Sequence, residues 1–251
     1  MLRVVLFTTP TKHHTYFINR LRKSCHFSAI VYERKKLSKP FATGPFFLQE
    51  EDRFEDRFFD PDYNGVSSEL AKEDEEKIVS VHDVNQTGLA HYIEALQPDL
   101  GISFGTGKIK PDVFSVPRLG TINVHRGLTQ YHRGLDSDLW AIHQDAFDQI
   151  GVTIHSVDAE LDTGHILRQD TMPLSPEDEI YHIRYKTSVM ATDMVEDVLK
   201  EATSHNAIIS GKPQLKKGPY FSAMTLEQKM EAADKFTAFK KKTFMSSEGQ
   251  P

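Results

Sequence analysis

The chain has 251 residues, 39% of them hydrophobic, which is enough for one sizeable α/β domain, alone or with a small addition. Its formal net charge of -6 gives no general attraction to phosphate backbones and disfavours nucleic acid as the main partner. The single cysteine, Cys25, excludes an internal disulfide and a cysteine-based zinc cluster, and the apolar start at residues 2–7 is too short for a signal peptide. We therefore expect a soluble cytoplasmic protein that does not enter a membrane.

The first 32 residues predict a strand, a helix and a second strand. Residues 3–7 form a short apolar run, a helix is expected after Pro10 to about residue 23, and residues 27–32 are again apolar. This order gives a right-handed parallel unit, the opening of a Rossmann-like α/β sheet. The turn at residues 8–14 contains no glycine, so it is not a dinucleotide fingerprint or a phosphate-cradling loop.

A phenylalanine-rich segment follows within residues 35–77. Phe47, Phe54 and Phe58 have helical spacing, which favours a short amphipathic helix that caps the sheet; a lid over a substrate is the alternative. The Asn64-Gly65 pair would end this segment, and residues 67–76 predict a second, acidic and solvated helix.

The next elements lead to a glycine-containing turn. We expect a short edge strand at residues 79–81, a helix at 85–97 and a central strand at 99–104, which runs into the Gly-x-Gly turn at 105–107. Such a turn is usually only a tight strand end. However, ligands of open α/β sheets bind at the carboxyl ends of strands, so a ligand contact at residues 105–109 stays an open alternative.

Asn123 and His125 are candidate catalytic residues. Residues 121–125 alternate as in a strand, so the amide and the imidazole leave the same face side by side. Asp162 precedes a Thr-Gly turn, where a loop could hold its carboxylate against the imidazole. A hydrogen-bond donor, a proton shuttle and an orienting carboxylate suit attack on a carbonyl. Taken singly, a strand histidine is usually structural and an aspartate before Thr-Gly is usually a turn residue.

The remaining elements complete an open, mostly parallel sheet. Asp136 or Ser137 can cap a helix whose Trp140 is more typical of a core residue than of a stacking platform. Strands are expected at residues 151–156 and 165–172, and Ser175 with Pro176 predicts the start of a long amphipathic helix that ends near residue 202. Residues 211–218 would be a linker or hairpin, followed by a helix that opens at 225. Lysines 240–242 would form a solvated face, with a phosphate contact as the alternative.

In these motifs the sequence resembles the folate-dependent formyltransferases. The shared residues are Asn123-x-His125, Arg133-Gly134, Gly151-Val-Thr-x-His155 and Asp162-x-Gly164-x-Ile166, preceded by Ile109-Lys-Pro111 and Pro117-x-x-Gly120. The resemblance covers most of the chain up to about residue 200. It implies a catalytic domain at residues 1–210, with residues 211–251 as a C-terminal appendage and polar tail.

The resemblance also implies roles for individual residues. Asn123, His125 and Asp162 would be catalytic, His155 would support them, and 10-formyltetrahydrofolate would be the co-substrate, with no metal. The folate contacts would come from Gly105, Thr106, Gly107, Lys108, Ile109, Arg133, Gly134 and Asp162. The amine substrate would contact Lys12, His13, Arg126, Gly127 and Tyr131. The run at residues 126–130 replaces the Pro-Ser-Leu-Leu-Pro of many members, which indicates a differently shaped loop beside the substrate.

Within the family, Gly127 and the small C-terminal addition resemble the sugar nucleotide N-formyltransferases of bacterial surface polysaccharide (O-antigen) biosynthesis, which act on 4-amino-4,6-dideoxy sugars linked to GDP or dTDP. A homodimer is expected from the same resemblance. A glycinamide ribonucleotide substrate lacks support at residues 8–14, and methionyl-tRNA is disfavoured by the acidic charge and the short appendage. Two other classes stay open: a formyltetrahydrofolate hydrolase, and a metal-dependent enzyme or metal-binding module built from His125, His132, His155 and Asp162.

Overall fold

A computed structural model describes residues 1–35, 41, 48–208 and 210–245. The strands of these residues are β1 (Arg3–Thr8), β2 (His26–Glu33), β3 (Ile78–Val81), β4 (Leu100–Phe104), β5 (Thr121–His125), β6 (Arg133–Gly134), β7 (Gly151–Ser156), β8 (Ile166–Thr171) and β9 (Tyr220–Phe221). The helices are α1 (Lys12–Leu21), α2 (Leu48–Phe58), α3 (Pro61–Asn64), α4 (Lys72–Glu75), α5 (Leu89–Leu96), α6 (Pro111–Phe114), α7 (Ser137–His143), α8 (Ile183–His205) and α9 (Leu226–Lys240). Short 3₁₀ helices lie at Phe147–Gln149 and Ile180–His182, and a π-helical turn lies at Lys241–Met245.

Seven strands of the described residues form one sheet in the order β3-β2-β1-β4-β5-β7-β8. The pairs from β3 to β5 are parallel, and β5, β7 and β8 pair antiparallel. This confirms the predicted α/β class with an open, mostly parallel, Rossmann-like sheet. The strand that carries Asn123 and His125 thus lies at the change from parallel to antiparallel pairing, next to the carboxyl end of β4.

Alternation along the strands separates two hydrophobic cores. Val4 and Leu6 face α1 and α8 in one core, whereas Val5 and Phe7 face α5 and α6 in the other, and all four side chains are fully buried. Successive residues of a strand point to opposite faces, so a single apolar run supplies both cores. Burial of each such side chain stabilises the fold by about 1.5–3 kcal/mol.

A third core joins the C-terminal helix to the rest of the chain. Phe236 of α9 is buried together with Ile142 of α7 and Ile183 of α8, and Ile150 and Met172 belong to the same core. Helix α9 begins with the predicted capping box, in which the Thr225 hydroxyl accepts from Gln228 and the Gln228 side chain accepts from Thr225. The proposed boundary between residues 210 and 211 stays a prediction.

The phenylalanine-rich segment forms helix α2 as predicted from Phe54 and Phe58, while Phe47 lies outside the described residues. Its aromatic face packs on the start of α8: the Phe54 ring stacks on His182 at 3.9 Å between centroids, and Phe58 lies 5.2 Å from Tyr185. Among the described residues no helix combines the length and apolarity that a membrane span needs.

Two predicted helices are shorter than expected because polar side chains bind the backbone beside them. In place of a solvated helix at residues 67–76, only α4 is helical: the Ser67 hydroxyl accepts the Glu69 N–H at 3.1 Å in a local turn, and Asp74 of α4 is buried against Arg22 at 2.7 Å. The helix expected at residues 85–97 begins only at Leu89, since Asp83 accepts from the Asn85 amide in a local turn.

Two predicted helix caps are wrong. Helix α8 begins at Ile183 rather than after Ser175, because Asp178 accepts the Ser175 N–H at 2.7 Å and folds that segment into a turn. Asp136 does stand at the N-cap position of α7. However, it has a φ of 49°, and its carboxylate accepts the Met224 N–H instead of capping the helix.

Candidate active site

A cleft of about 650 Å³ opens at the carboxyl ends of β4 and β5. Asn123 and His125 line it from β5, Asp162 lines it from the loop between β7 and β8, and His155 lines it from β7. Register explains the contact across the sheet, because Asn123 pairs directly with His155. The structure thus brings together the four residues for which the sequence predicts catalytic and supporting roles.

Asp162 is the centre of this cluster. Its side chain is buried, one carboxylate oxygen accepts the Gly134 N–H at 2.9 Å, and the other lies 3.5 Å from Nε2 of His155. Burial alone would raise the pKa of this carboxyl. The neighbouring His125 ring and the Gly134 N–H outweigh burial and hold the pKa of Asp162 well below its usual range. Asp162 is therefore a fixed negative charge inside the cleft.

The imidazole of His125 faces an acceptor on each side. Its Nε2 lies 2.8 Å from the carbonyl oxygen of His132, and its Nδ1 lies 3.8 Å from Oδ2 of Asp162. The first distance is that of a hydrogen bond, whereas the second places Nδ1 near the carboxylate without a hydrogen bond. The arrangement therefore suits a group that carries a proton into and out of the cleft.

The Asn123 amide is oriented by two partners. Its Nδ2 lies 3.1 Å from Nε2 of His155 and 3.3 Å from Oδ1 of Asp162. The other nitrogen of the His155 ring lies 2.9 Å from the Ser156 carbonyl oxygen, so Nδ1 donates there and Nε2 accepts from Asn123. His155 thus fixes which atom of the Asn123 amide faces the cluster.

The residues predicted to bind the folate lie mostly on one wall. Gly105, Thr106, Gly107, Lys108 and Ile109 all line the cleft, together with Gly134. Arg133 does not line it. This arginine is buried, and it donates from Nε to the Gly218 carbonyl and from Nη1 to the Leu161 carbonyl.

Of the five residues predicted to bind the amine substrate, only Arg126 lines the cleft. Lys12 pairs with Asp56 at 2.5 Å, and Tyr131 lies beneath the Lys216 ammonium at 3.8 Å. His13 is buried beside Phe104, and burial holds its pKa well below the usual range. Gly127 leaves room for its neighbours, since a Cβ there would lie 2.6 Å from the Cβ of Ser137.

The sequence reasoning missed several residues that line or support the cleft. Glu33 lines it and binds Gly107 N–H at 2.7 Å and Val84 N–H at 3.1 Å. An acidic residue at the end of a buried strand was the available signal. Asp138 and Tyr220 also line the cleft, and Gln214 binds the Asp162 turn, but no local pattern indicates any of these three.

The histidine-based metal site has no counterpart in the described part of the chain, where no three His, Cys, Asp or Glu side chains are arranged to hold a metal ion. His132 instead directs Nε2 towards Oε1 of Gln144 at 3.2 Å.

Comparison with known proteins identifies relatives of this chain. A methionyl-tRNA formyltransferase of Koribacter versatilis is 34% identical over 123 residues, which are 49% of this chain and 38% of that protein. This chain spans about two fifths of the length of such curated relatives.

Two solved structures share the fold. A sugar N-formyltransferase from Shewanella sp FDAARGOS_354 matches 93% of this chain and 87% of its own, with a TM-score of 0.60 and 18% identity. The formyltransferase PseJ from Anoxybacillus kamchatkensis, solved with UDP-4,6-dideoxy-4-formamido-L-AltNAc and tetrahydrofolate, matches 91% of this chain and 88% of its own, with a TM-score of 0.52 and 19% identity. The sequence profile described as "Formyl transferase" matches residues 45–199, which include Asn123, His125 and Asp162. The chain belongs to the formyl transferase family.

Proposed function

We propose that the protein transfers the formyl group of 10-formyltetrahydrofolate to a primary amine. The observation that carries this proposal is the buried cluster of Asn123, His125 and Asp162 in one cleft. The amine nitrogen attacks the formyl carbon, its bond to that carbon forms, and the bond to the folate N10 breaks. The proton lost by the amine replaces the formyl group on N10.

The three side chains divide this work. Asn123 donates to the formyl oxygen as it gains charge, an interaction of a kind that contributes about 3 kcal/mol in a site that excludes water. His125 accepts the amine proton or stabilises the oxyanion as imidazolium, and it returns a proton to N10. Asp162, a fixed negative charge 3.8 Å from Nδ1, faces the ring and holds its orientation.

The folate has a candidate wall in the same cleft. Residues 105–109 follow β4 and expose backbone at a strand end, where open α/β sheets bind their ligands. Gly134 faces the same space. We assign the pterin to this wall, with the formyl group directed at Asn123.

For the amine we propose a nucleotide-linked amino sugar, such as a 4-amino-4,6-dideoxy sugar on GDP or dTDP. PseJ, whose fold this chain shares over nearly its whole length, is a formyltransferase bound to a UDP-linked formamido sugar. Arg126 and Asp138 line the cleft beside His125 and give it one cationic and one anionic group for a phosphate and sugar hydroxyls. The product would enter bacterial surface polysaccharide, and we expect a cytoplasmic homodimer.

Methionyl-tRNA is the second candidate acceptor, because curated methionyl-tRNA formyltransferases are among the relatives. The formal net charge of -6 speaks against it, since binding of a nucleic acid depends on neutralising its phosphates.

The test is to incubate the protein with 10-formyltetrahydrofolate and each of a set of amines: GDP-, dTDP- and UDP-linked amino sugars, glycinamide ribonucleotide and methionyl-tRNA. Mass spectrometry then detects one added formyl group. His125→Ala serves as the inactive control. Formylation of a sugar nucleotide supports the proposal, and formylation of methionyl-tRNA alone replaces its acceptor. Loss of the formyl group from folate with no amine modified indicates a hydrolase and overturns the transfer.

A further inference from the structure

The turn that presents Asp162 has a backbone conformation that needs support. Asp162 has a φ of 55°, in the left-handed region that non-glycine residues rarely adopt. Such a residue costs on the order of 1–3 kcal/mol and persists where the surroundings impose it. The turn offers three carbonyl oxygens to its surroundings, those of Leu161, Asp162 and Gly164.

Gln214 binds two of these carbonyls with one amide group. Its Nε2 donates to the Asp162 carbonyl at 3.0 Å and to the Gly164 carbonyl at 2.9 Å. One side chain therefore holds both ends of the 162–164 turn, including the backbone of the catalytic aspartate itself. The Oε1 of Gln214 is buried without a partner among the described residues, so the contribution of this side chain here is its two N–H groups.

The same C-terminal segment also supports the other side of Asp162. Strand β9 pairs with β6, and the Gly218 carbonyl accepts from Arg133, which in turn donates to the Leu161 carbonyl. Gly134 has a φ of 95°, and a Cβ there would lie 2.2 Å from the Phe221 carbonyl oxygen. Only glycine fits this approach, and it directs the Gly134 N–H at Asp162.

The supporting residues Gln214, Gly218 and Phe221 lie beyond residue 199, where the match to the family profile ends. We propose that Gln214 is a positioning residue of the reaction, which holds the Asp162 carboxylate against His125 and the Gly134 N–H by pinning the 162–164 turn. The expected effect on the reaction rate rests on the proposed function, whereas the expected effect on the 162–164 turn does not.

Loss of the two Gln214 bonds lets the turn relax towards an ordinary conformation. The Asp162 carboxylate then moves away from His125 and from the Gly134 N–H. A displacement of about 1 Å in a catalytic group can lower the rate by roughly 100-fold without any loss of substrate contacts.

The test compares Gln214→Met with Gln130→Ala. Methionine keeps the length of the side chain and removes both N–H groups. Gln130 does not line the cleft, and it anchors the same segment by accepting the Leu215 N–H at 2.7 Å, a bond that lies outside the 162–164 turn. For Gln214→Met we expect kcat to fall roughly 10–100-fold with both KM values unchanged, and the Gly134 amide hydrogen to exchange faster with solvent. Gln130→Ala should leave both quantities as in the wild type.

Two results would overturn the inference. One is a Gln214→Met protein with wild-type kcat and Gly134 exchange; the other is an equal loss in both variants, which would indicate a general effect of loosening the segment. Should Gln214→Met not fold, Gln214→Ala removes the same donors without placing a new group against the two carbonyls, and the same two readouts apply. A wild-type protein that formylates no amine would refute the proposed function, while the exchange of the Gly134 amide would still decide whether Gln214 holds the turn.

Discussion

Replacement of Glu33 by glutamine tests whether the loop after β4 binds the folate. Glu33 is buried at the end of β2, and its two carboxylate oxygens accept the Gly107 N–H at 2.7 Å and the Val84 N–H at 3.1 Å. Glutamine has the same shape but only one acceptor oxygen. One of the two backbone N–H groups must then face the new amide N–H₂.

The expected cost follows from the lost bond. A hydrogen bond to a charged group contributes about 1.5–3 kcal/mol, so release of the loop at Gly107 should cost about 2 kcal/mol. At about 1.4 kcal/mol per tenfold, this raises KM for 10-formyltetrahydrofolate about 30-fold if residues 105–109 bind the folate. The KM for the amine and kcat should change little, because the bonds of Glu33 go to Gly107 and Val84 and not to the catalytic cluster.

Steady-state kinetics with each substrate varied in turn measures these changes. Asp99→Asn is the matched control: Asp99 also accepts a backbone N–H, that of Arg3 at 2.9 Å, and it binds Arg118 at 2.8 Å, but it has no bond to residues 105–109. An unchanged KM for the folate in Glu33→Gln, or an equal rise in Asp99→Asn, would refute the role of this loop.

The remaining predictions concern the cluster and helix α2. Asn123→Ala should lower kcat about 100–1,000-fold in the transfer assay, because it removes a donor to the developing oxyanion. Asp162→Asn should nearly abolish transfer. Because the pKa of Asp162 is lowered on folding, its contribution to the free energy of unfolding should be present at neutral pH and shrink in urea titrations below about pH 4. Burial raises the pKa of Glu51 from 4.5 to about 7, so urea titrations from pH 4.5 to 7 should show the wild type losing stability relative to Glu51→Gln.

The sheet could be predicted from the sequence because its signals are local. Apolar runs such as residues 4–7 have the length of buried strands, and the alternation of side chains along the strand places Val4 and Val5 in different cores. Asn123 and His125 share one face of β5 for the same reason. The position of Asp162 beside them depended on the family motif, because a residue 37 positions after His125 in the numbering has no local link to it.

The supports of the site could not be predicted, because they join distant parts of the chain. Glu33 and Gly107 are 74 residues apart, and Gln214 and Asp162 are 52 apart. The wrong start predicted for α8 has a local cause instead. A serine before proline is typical of a helix start. Here Asp178 accepts the Ser175 N–H in a competing turn, so the helix begins only at Ile183.

The hydrogen bonds of Asn123 limit how the formyl group can bind. Both amide hydrogens already have acceptors, His155 at 3.1 Å and Asp162 at 3.3 Å. A formyl oxygen that binds this amide must therefore replace one of them. Asp162 is the partner that can be released, because its carboxylate keeps the Gly134 N–H and the His125 ring, whereas His155 Nε2 would be left without a donor. When the formyl oxygen takes the place of the Asp162 carboxylate, its hydrogen bond to Asn123 stabilises the ground state little. The same bond stabilises the transition state more, because the formyl oxygen then becomes an oxyanion, and only this difference in stabilisation accelerates the reaction.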